Sequence, residues 1–270
     1  MPVDILTRIV RHRKLNADHF VLTLECPGIA RRAYPGQFVM LQVRGGSQPL
    51  LRRPMSICRV VPGQPGRIEI LYKVVGEGTA YLSRQQVGMS LQVLGPLGRG
   101  FRLPRRARRA RSRPVLVSGG VGIAIFPFLA DALARSGLKP RLLFGARSRR
   151  DLVGLSYFRN LKMAIALATE DGSLGHKGYV TRLLDPILAE EDGGVPLELY
   201  VCGPTPMMRA VAEMALAAGV SCQLALEAHM PCGIGVCLGC VVRPGMGHEE
   251  DPYRRVCTEG PVFEASEVIL

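Results

Sequence analysis

The stretch Val115-Leu116-Val117-Ser118-Gly119-Gly120-Val121-Gly122 joins a short apolar run to a glycine-rich loop. An apolar run of this length predicts a strand buried on both faces, and the segment after the loop continues as a helix to about Ser136. Ligands of open parallel sheets bind beyond the carboxyl ends of the strands. We therefore expect Gly119, Gly120 and Gly122 to border a nucleotide, although the loop is shorter than the six-position fingerprint of an ordinary dinucleotide-binding fold.

The segment downstream of this loop alternates between predicted strands and helices. Strands are predicted at 141–144, 164–168 and 198–202, and helices at 179–189 and 206–218. This alternation predicts a parallel doubly wound sheet with helices on both faces, assigned to residues 114–219. The last strand ends in Cys202-Gly203-Pro204, which we expect at the same edge of the sheet as the glycine loop.

The residues upstream of the loop follow a different pattern. Apolar side chains alternate with period two in short runs that Pro-Gly and Gly-Pro pairs interrupt, and this is typical of strands joined by turns. We predict a small antiparallel β-barrel over residues 1–103. Residues 104–113 follow as an arginine-rich linker, which is either a solvated connection or a docking site for an acidic partner.

The composition argues against several classes of protein. The chain is 47% hydrophobic and 21% charged, as expected for a folded globular protein. The net charge of +13 would attract nucleic acid, but only 6% of residues are aromatic and the arginine-rich stretch has no aromatic side chain to stack on bases. The sequence shows neither a signal-peptide pattern nor an apolar run of membrane-spanning length. We therefore expect a cytoplasmic protein that binds neither nucleic acid nor membrane.

Four of the eight cysteines are clustered in the C-terminal segment, residues 220–270, which we assign to a small third unit. Four residues separate Cys232 from Cys237, two separate Cys237 from Cys240, and the fourth cysteine is Cys257. This spacing is that of a plant-type [2Fe–2S] site. Three thiolates then come from one tight loop, and the fourth returns from elsewhere in the fold.

Glycines between these cysteines support the same interpretation. Gly233, Gly235 and Gly239 let the backbone wrap closely around a cluster and direct its N–H groups at sulfur. A structural zinc site is the alternative, since it also uses cysteine thiolates. Three of the scattered thiols are interpreted as small buried side chains: Cys26, Cys58 and Cys222.

Two phosphate-compatible motifs occur in the predicted barrel. In Arg52-Arg53-Pro54-Met55-Ser56 an arginine can clamp a pyrophosphate and the serine hydroxyl can reach the edge of a flavin ring; the alternative is a turn with a surface salt bridge. Gly76-Glu77-Gly78-Thr79 precedes a helix predicted at 80–85, and helix N-termini receive phosphate well; the alternative is an ordinary cap at Thr79. Two such sites in one barrel favour a flavin dinucleotide.

Taken together, these motifs resemble the ferredoxin-reductase-type flavoproteins, and within them the electron-transfer subunits of NAD-dependent dihydroorotate dehydrogenase. The resemblance spans nearly the whole chain. The stretches that carry it are Pro35-Gly36-Gln37-Phe38, Leu51-Arg52-Arg53-Pro54-Met55-Ser56, Gly76-Glu77-Gly78-Thr79, Leu94-Gly95-Pro96-Leu97-Gly98, Thr169-Glu170-Asp171-Gly172-Ser173, Cys202-Gly203-Pro204-Thr205-Pro206-Met207, Cys232-Gly233-Ile234-Gly235-Val236-Cys237 and Val256-Cys257-Thr258-Glu259-Gly260-Pro261-Val262-Phe263.

The resemblance implies two bound cofactors and one co-substrate. FAD is expected on Arg53, Pro54, Met55, Ser56, Leu71, Tyr72, Lys73, Gly78 and Thr79. The [2Fe–2S] cluster is expected on Cys232, Cys237, Cys240 and Cys257. NAD(H) is expected at Gly119, Gly120, Gly122, Cys202, Gly203 and Pro204.

The resemblance also implies an enzyme complex. Relatives pair with a separate FMN-containing subunit that oxidises dihydroorotate, in a heterotetramer, and pass its electrons through iron–sulfur and FAD to NAD in pyrimidine (UMP) biosynthesis. This chain would then be an oxidoreductase subunit without a dihydroorotate site. No side chain is assigned as a catalytic acid or base, because the cofactors supply the chemistry.

Two other functions stay open from the residues alone. One is a FAD and [2Fe–2S] subunit of an NADP-linked transhydrogenase or sulfhydrogenase complex. Arg147, Ser148, Arg149 and Arg150 follow the second strand of the nucleotide unit, where they would hold a 2′-phosphate or form a solvated loop. The other is a non-catalytic, zinc-stabilised interaction module. The residues therefore do not decide between NAD and NADP.

Overall fold

The computed structural model describes residues 1–43, 51–104, 112–190, 194–247 and 252–270, which contain three β-sheets. Apart from Pro104, Ser112 and Arg113, the predicted arginine-rich linker lies outside the described residues. In the described part of the chain, no helix is both long enough and apolar enough to cross a membrane.

The N-terminal sheet is antiparallel and closes into a barrel. Its strands are β1 (Val3–Lys14), β2 (His19–Glu25), β3 (Phe38–Leu41), β4 (Arg53–Ser56), β5 (Arg59–Val60), β6 (Arg67–Lys73) and β7 (Ser90–Leu97), in the order β4-β3-β7-β1-β2-β6-β5. The edge strands β4 and β5 are consecutive in sequence, and only Ile57 and Cys58 separate them. The N–H of Ile57 donates to the Gln37 carbonyl at 3.0 Å and that of Cys58 to the Glu69 carbonyl at 2.8 Å, so these residues join the two edges. The predicted barrel is confirmed.

Two short helices accompany the barrel, α1 (Pro27–Ala30) and α2 (Glu77–Ser83). Helix α2 begins earlier than the predicted residue 80, because Gly76 is its N-cap. The hydroxyl of Thr79, at the third helical position, accepts from the N–H groups of Val75 at 2.9 Å and Gly76 at 3.1 Å. Thr79 therefore closes a capping box instead of being the cap itself.

The second sheet carries the nucleotide-domain pattern. Its parallel strands are β8 (Arg113–Gly119), β9 (Arg141–Ala146), β10 (Ile165–Thr169), β11 (His176–Lys177), β12 (Leu197–Cys202) and β13 (Ser221–Ala225), in the order β11-β10-β9-β8-β12-β13. The helices are α3 (Phe126–Arg135), α4 (Thr181–Ala189) and α5 (Thr205–Ala217). The predicted parallel doubly wound sheet is confirmed.

The glycine loop differs from the prediction in one respect. A 3₁₀ helix spans Gly120–Ile125 before α3 begins at Phe126. Pro127 lies in the first turn of α3, where its missing N–H costs no intrahelical hydrogen bond. The tight turn after β8 therefore uses 3₁₀ geometry, and the α-helix starts six residues later.

The C-terminal segment forms a small antiparallel sheet and also completes the second sheet. Strands β14 (Val241–Pro244), β15 (Arg254–Arg255) and β17 (Val268–Ile269) pair in the order β15-β14-β17, whereas β16 (Val262–Glu264) pairs antiparallel with β13. Both β13 and β16 lie beyond residue 219, so the second sheet continues past the predicted boundary. The shift in composition comes only after β13, whose apolar side chains are buried in the sheet. The division into domains at 103, 113 and 219 stays a prediction.

One hydrophobic core joins the C-terminal segment to the rest of the molecule. Phe38, Met40 and Leu97 of the barrel pack in the same cluster as Cys240 and Cys257. The backbone adds a direct contact, since the N–H of Arg99 donates to the carbonyl of Gly260 at 2.5 Å. The cysteine-bearing segment is therefore packed against the barrel.

Candidate functional site

A cleft of about 280 Å³ lies between the barrel and the carboxyl edge of the parallel sheet. The barrel contributes eight of the nine residues expected to hold FAD, which are Arg53, Pro54, Met55, Ser56, Leu71, Tyr72, Lys73 and Thr79. The ninth, Gly78, lies behind Arg53: a β-carbon on Gly78 would be 2.8 Å from Nε of Arg53. Tertiary structure thus brings the 53–56 segment together with the 71–79 stretch of the chain.

The two arginines of the barrel motif have different surroundings. Arg53 lines the cleft. Arg52 instead forms a two-point ion pair with Asp4, with N–O distances of 2.9 and 2.8 Å, and its hydrogen bond lowers the pKa of that carboxyl. The surface salt bridge considered as an alternative therefore describes Arg52, while Arg53 lines the cleft and donates from Nη1 to the Leu51 carbonyl at 2.8 Å.

Neighbouring side chains hold Tyr72 and Lys73 in the wall of the cleft. The Tyr72 ring stacks on Phe20 with centroids 5.7 Å apart, and its hydroxyl lies 3.0 Å from Nε2 of His12. Nζ of Lys73 pairs with Asp18 at 3.3 Å. The aromatic ring and the cation are therefore in place without a ligand, which suits the binding of a planar, anionic cofactor.

Opposite the barrel, Gly122 and Cys202 line the cleft. The other glycines of this edge serve backbone packing, because a β-carbon on Gly203 would lie 2.9 Å from the Gly119 nitrogen and one on Gly119 would lie 2.8 Å from Cδ of Pro204. Gly120 has open space around it but a φ of +53°, a conformation that favours glycine. Of the six residues expected at the nicotinamide, two face the cleft and four shape the loops behind them.

Burial governs the chemistry of this edge. It raises the pKa of the Cys202 thiol well above its ordinary value, and the nearby Glu227 carboxylate adds to the shift. Glu227 itself projects into the open cleft, where desolvation by the surrounding protein raises its pKa. Cys202 therefore faces the cleft as a neutral thiol.

Among the cleft-wall residues that the sequence analysis did not assign to a site are Glu227, Met230 and Pro261. Glu227 is the second residue after strand β13. An acidic residue just beyond an apolar strand, at the edge where ligands bind, was the feature of the sequence that could have indicated it. Met230 and Pro261 flank the cysteine ligands in sequence and carry no comparable signal. They show that the cysteine-bearing segment forms part of the cleft wall.

A second cavity, of about 600 Å³, lies beyond Lys73 at the same edge of the sheet. Its lining residues are Lys73, Arg147, Ser148, Arg149, Arg150, Asp151, Asp171 and Ser173. Four cations thus face two carboxylates, and Asp171 already accepts hydrogen bonds from the hydroxyl and the N–H of Ser173, at 2.6 and 2.9 Å. The cavity therefore carries an excess of positive charge, which suits the phosphates of a dinucleotide.

The clustered cysteines form two pairs. The Cys237 thiol lies close enough to Cys232 to help lower its pKa. Burial and the adjacent Cys240 thiol raise the pKa of Cys257, whose N–H lies 3.4 Å from Sγ of Cys240. Among the described residues, no three or more Cys, His, Asp or Glu side chains converge on a point where a single metal ion would be held. Two pairs of thiols suit two irons, each with two protein ligands.

Backbone N–H groups surround these sulfurs. Burial opposes ionisation of Cys232, but hydrogen bonds from the N–H groups of Ile234, Cys237 and Val236 lower its pKa to about 6. The chain makes this wrap with Gly233 at φ +73° and Gly235 at φ +82°, both in the left-handed region. A cysteine favoured as a thiolate, in a loop whose backbone N–H groups point at sulfur, fits an iron–sulfur cluster.

A barrel, a parallel sheet, a cleft between them and a four-cysteine loop define a ferredoxin-reductase-type flavoprotein with an added iron–sulfur segment. Comparison with known families agrees with this class. Residues 7–101 match the oxidoreductase FAD-binding domain, and residues 227–269 match the iron–sulfur cluster binding domain of dihydroorotate dehydrogenase B. The chain belongs to the family of electron transfer subunits of NAD(+)-dependent dihydroorotate dehydrogenase B.

Relatives match along nearly the full length. The electron transfer subunit of dihydroorotate dehydrogenase B (NAD(+)) from Bacillus caldolyticus is 40% identical over 263 residues, covering 97% of both chains. That of Desulforamulus reducens is 38% identical over 250 residues, covering 93% of this chain and 92% of the relative. Among solved structures, an NADH-dependent reduced ferredoxin–NADP oxidoreductase described for flavin-based electron bifurcation has a TM-score of 0.84 at 29% identity, covering 98% of this chain and 90% of that one.

These findings confirm the family resemblance and the two cofactors, FAD and an iron–sulfur cluster. They favour the iron–sulfur interpretation of the cysteines over the zinc-stabilised module. An electron transfer subunit also implies a separate catalytic dihydroorotate dehydrogenase subunit as its partner.

Proposed function

We propose that this chain receives electrons from a catalytic dihydroorotate dehydrogenase subunit at its four-cysteine loop and delivers them through the cleft to NAD. Cys232 and Cys237 would bind one iron, and Cys240 and Cys257 the other. FAD would lie along the barrel wall of the cleft from Ser56 to Arg53. The nicotinamide would enter from the side of Gly122 and Cys202.

One observation carries the proposal: the cysteine loop and the cleft share a wall. Phe38 lines the cleft, and Met40, two residues along strand β3, contacts the loop, since a β-carbon on Gly233 would lie 2.7 Å from its Cγ. Side chains two positions apart in a strand lie on the same face. From the other side, Met230 and Pro261 also line the cleft. The proposed cluster and flavin sites would therefore be neighbours, as electron transfer requires.

The side chains bind and position the cofactors, and the cofactors supply the redox chemistry. When bound, FAD exchanges a hydride with nicotinamide and the cluster carries single electrons. Arg53 supplies positive charge for the pyrophosphate, and Tyr72 offers a fixed aromatic face. Gly122 lets the dinucleotide approach the backbone, while the neutral Cys202 thiol adds no charge beside it. The second cavity receives phosphate at the adenosine end.

The partner would be an FMN-containing subunit, and the assembly a heterotetramer that serves pyrimidine (UMP) biosynthesis. The names of the relatives support dihydroorotate as the electron donor. We place the complex in the cytoplasm: the four cysteines outside the proposed ligand set, Cys26, Cys58, Cys202 and Cys222, are buried free thiols, which suits a reducing compartment. Exposed Ile234, Val236 and Leu238 on the cysteine loop would lie toward the partner.

The test separates the two cofactor sites with Cys237→Ser in the full chain, purified anaerobically with and without the catalytic subunit. We expect loss of the cluster absorbance and of dihydroorotate-dependent NAD reduction. FAD content and NADH oxidation by a dye should persist, because Cys237 is not part of the cleft wall. The matched control is Val236→Ala, an exposed substitution in the same loop that should retain the cluster.

Two results would refute the proposal. Undiminished electron transfer from dihydroorotate to NAD in a cluster-free Cys237→Ser complex would remove the cluster from the route. Recovery of the chain with a hydrogenase or transhydrogenase subunit, and not with a dihydroorotate-oxidising one, would replace the proposed partner.

A further inference from the structure

The side-chain hydroxyl of Thr258 is buried in the C-terminal segment and has no hydrogen-bond partner among the described residues. A buried hydroxyl without a partner is unfavourable, because it has given up its hydrogen bonds to water. Such groups in folded proteins therefore point to an acceptor that completes the site. The neighbourhood of Thr258 identifies the class of that acceptor.

Thr258 directly follows Cys257 and packs against the cysteine loop. A β-carbon on Gly235 would lie 2.9 Å from Cγ2 of Thr258 and 3.2 Å from its Oγ1, so the threonine side chain covers this glycine. The backbone N–H of the same Gly235 is directed at the sulfur of Cys257. The hydroxyl thus lies beside a loop whose N–H groups already point toward sulfur.

A turn that begins at Arg255 fixes the backbone of Thr258. Its N–H donates to the carbonyl of Arg255 at 3.2 Å, and the N–H of Cys257 faces Sγ of Cys240 at 3.4 Å. The side chain is therefore fixed on the residue that follows Cys257, at a turn that also brings Cys257 to Cys240. Cysteine thiolates and the inorganic sulfides of a [2Fe–2S] centre are acceptors, so the hydroxyl would act as the donor.

We propose that the Thr258 hydroxyl donates a hydrogen bond to a sulfur of the iron–sulfur centre and thereby sets its reduction potential. The inference rests on the proposed ligand set of Cys232, Cys237, Cys240 and Cys257. A donor to sulfur stabilises the additional negative charge of the reduced centre more than the oxidised one. Thr258 is then a positioning residue that makes the centre easier to reduce, and it is not itself a ligand.

The test compares Thr258→Val, which keeps the shape and removes the hydroxyl, with Thr258→Ser, which retains the hydroxyl. The matched control is Thr23→Val, because the hydroxyl of Thr23 is also buried without a partner among the described residues but lies in strand β2 of the barrel. Each full-length protein is purified anaerobically, assayed for iron and FAD, and titrated by spectroelectrochemistry.

We expect about two irons per chain in every variant. At the wild-type midpoint, the reduced-to-oxidised ratio of the cluster should fall about threefold to tenfold in Thr258→Val, the factor that corresponds to one hydrogen bond of ordinary net strength. Thr258→Ser should restore most of the wild-type ratio. The FAD midpoint should stay unchanged, as should the cluster midpoint in Thr23→Val.

A Thr258→Val protein with a full cluster and the wild-type midpoint would overturn the inference, and so would an equal shift in Thr23→Val. Should the valine variant fail to load iron, Thr258→Ala is titrated in its place and must show the same shift. Absence of iron from the wild-type chain is a different result, because it would refute the proposed ligand set and not only the role of Thr258.

Discussion

A β-carbon on Gly122 would overlap the carbonyl oxygen of Cys202 and would also lie 2.9 Å from the nitrogen of Gly203. The loop after β8 and the end of β12 are therefore in direct backbone contact at the point where both border the cleft. Only glycine fits at this position, because the neighbours are main-chain atoms that side-chain rotation cannot move.

Gly122→Ala is expected to push the two loops apart. Overpacking against the backbone should cost about 1–3 kcal/mol of unfolding free energy, and the displaced wall should lower NADH oxidation by a dye roughly tenfold or more. Gly28→Ala is the control: its β-carbon would meet its nearest neighbour, Cγ2 of Val3, at an ordinary 3.7 Å. Wild-type dye activity in a folded Gly122→Ala protein would contradict the proposed nicotinamide position.

His12 is expected to support flavin binding through Tyr72. Nδ1 of His12 lies 2.8 Å from the Gln85 carbonyl and must donate to it, so in the neutral ring Nε2 accepts from the Tyr72 hydroxyl at 3.0 Å. His12→Leu removes both hydrogen bonds and should weaken FAD binding about threefold to tenfold, measured by flavin fluorescence on dilution. Tyr72→Phe keeps the aromatic ring and should have the smaller effect. Equal FAD affinity in His12→Leu and wild type would show that His12 does not contribute to flavin binding through Tyr72.

The buried Glu69 is expected to stabilise the junction between the barrel and the parallel-sheet unit. Its carboxylate accepts from Nε of Arg59 at 2.8 Å and from the Tyr157 hydroxyl at 2.9 Å. Arg59→Met leaves this charge without its ionic partner and should cost about 3 kcal/mol, against about 1 kcal/mol for Tyr157→Phe, both from urea unfolding.

The more exposed Arg67–Glu25 pair, with a 3.5 Å N–O distance, supplies the control for this ion pair. Arg67→Met should cost less than about 1 kcal/mol. A similar cost for Arg59→Met and Arg67→Met would show that burial of Glu69 contributes nothing.

Glu227 is expected to make dinucleotide binding depend on pH. Because desolvation raises the pKa of this carboxyl above its ordinary 4.5, it stays neutral at low pH and becomes charged as the pH rises through its value in the folded protein. The new negative charge lies beside Cys202 in the cleft proposed to receive the anionic dinucleotide, so the KM for NADH should increase over that interval. Over the same pH interval the free energy of unfolding should decrease, because the folded state holds this proton more tightly than the unfolded state.

Glu227→Gln should abolish the increase in the KM for NADH that ionisation of Glu227 causes, since the amide is neutral at every pH. Glu213→Gln, an exposed change on helix α5, should keep the wild-type profile. The measurement is steady-state NADH oxidation by a dye across the pH range in which the protein is folded. Superimposable profiles for wild type and Glu227→Gln would refute this role.

Local patterns in the sequence determined much of this protein. Period-two runs predict strands, the apolar run before Gly119 predicts a buried parallel strand, and the spacing of four cysteines predicts a two-iron site. These inferences succeed because each depends on residues a few positions apart, where backbone geometry relates spacing to structure directly. The motif around Arg53 predicted residues that line the cleft for the same reason.

Tertiary structure alone decided which distant segments meet. It paired β16 with β13, assigned Arg52 to Asp4 and Arg53 to the cleft, and placed Glu227, Met230 and Pro261 in the same wall as Tyr72. It also buried the Thr258 hydroxyl beside the cysteine loop. Such contacts depend on packing between segments far apart in the chain, and no local periodicity encodes which surfaces will be pressed together. The cysteine spacing therefore specifies the iron–sulfur site, whereas the fold decides that the cysteine loop lies next to the cleft.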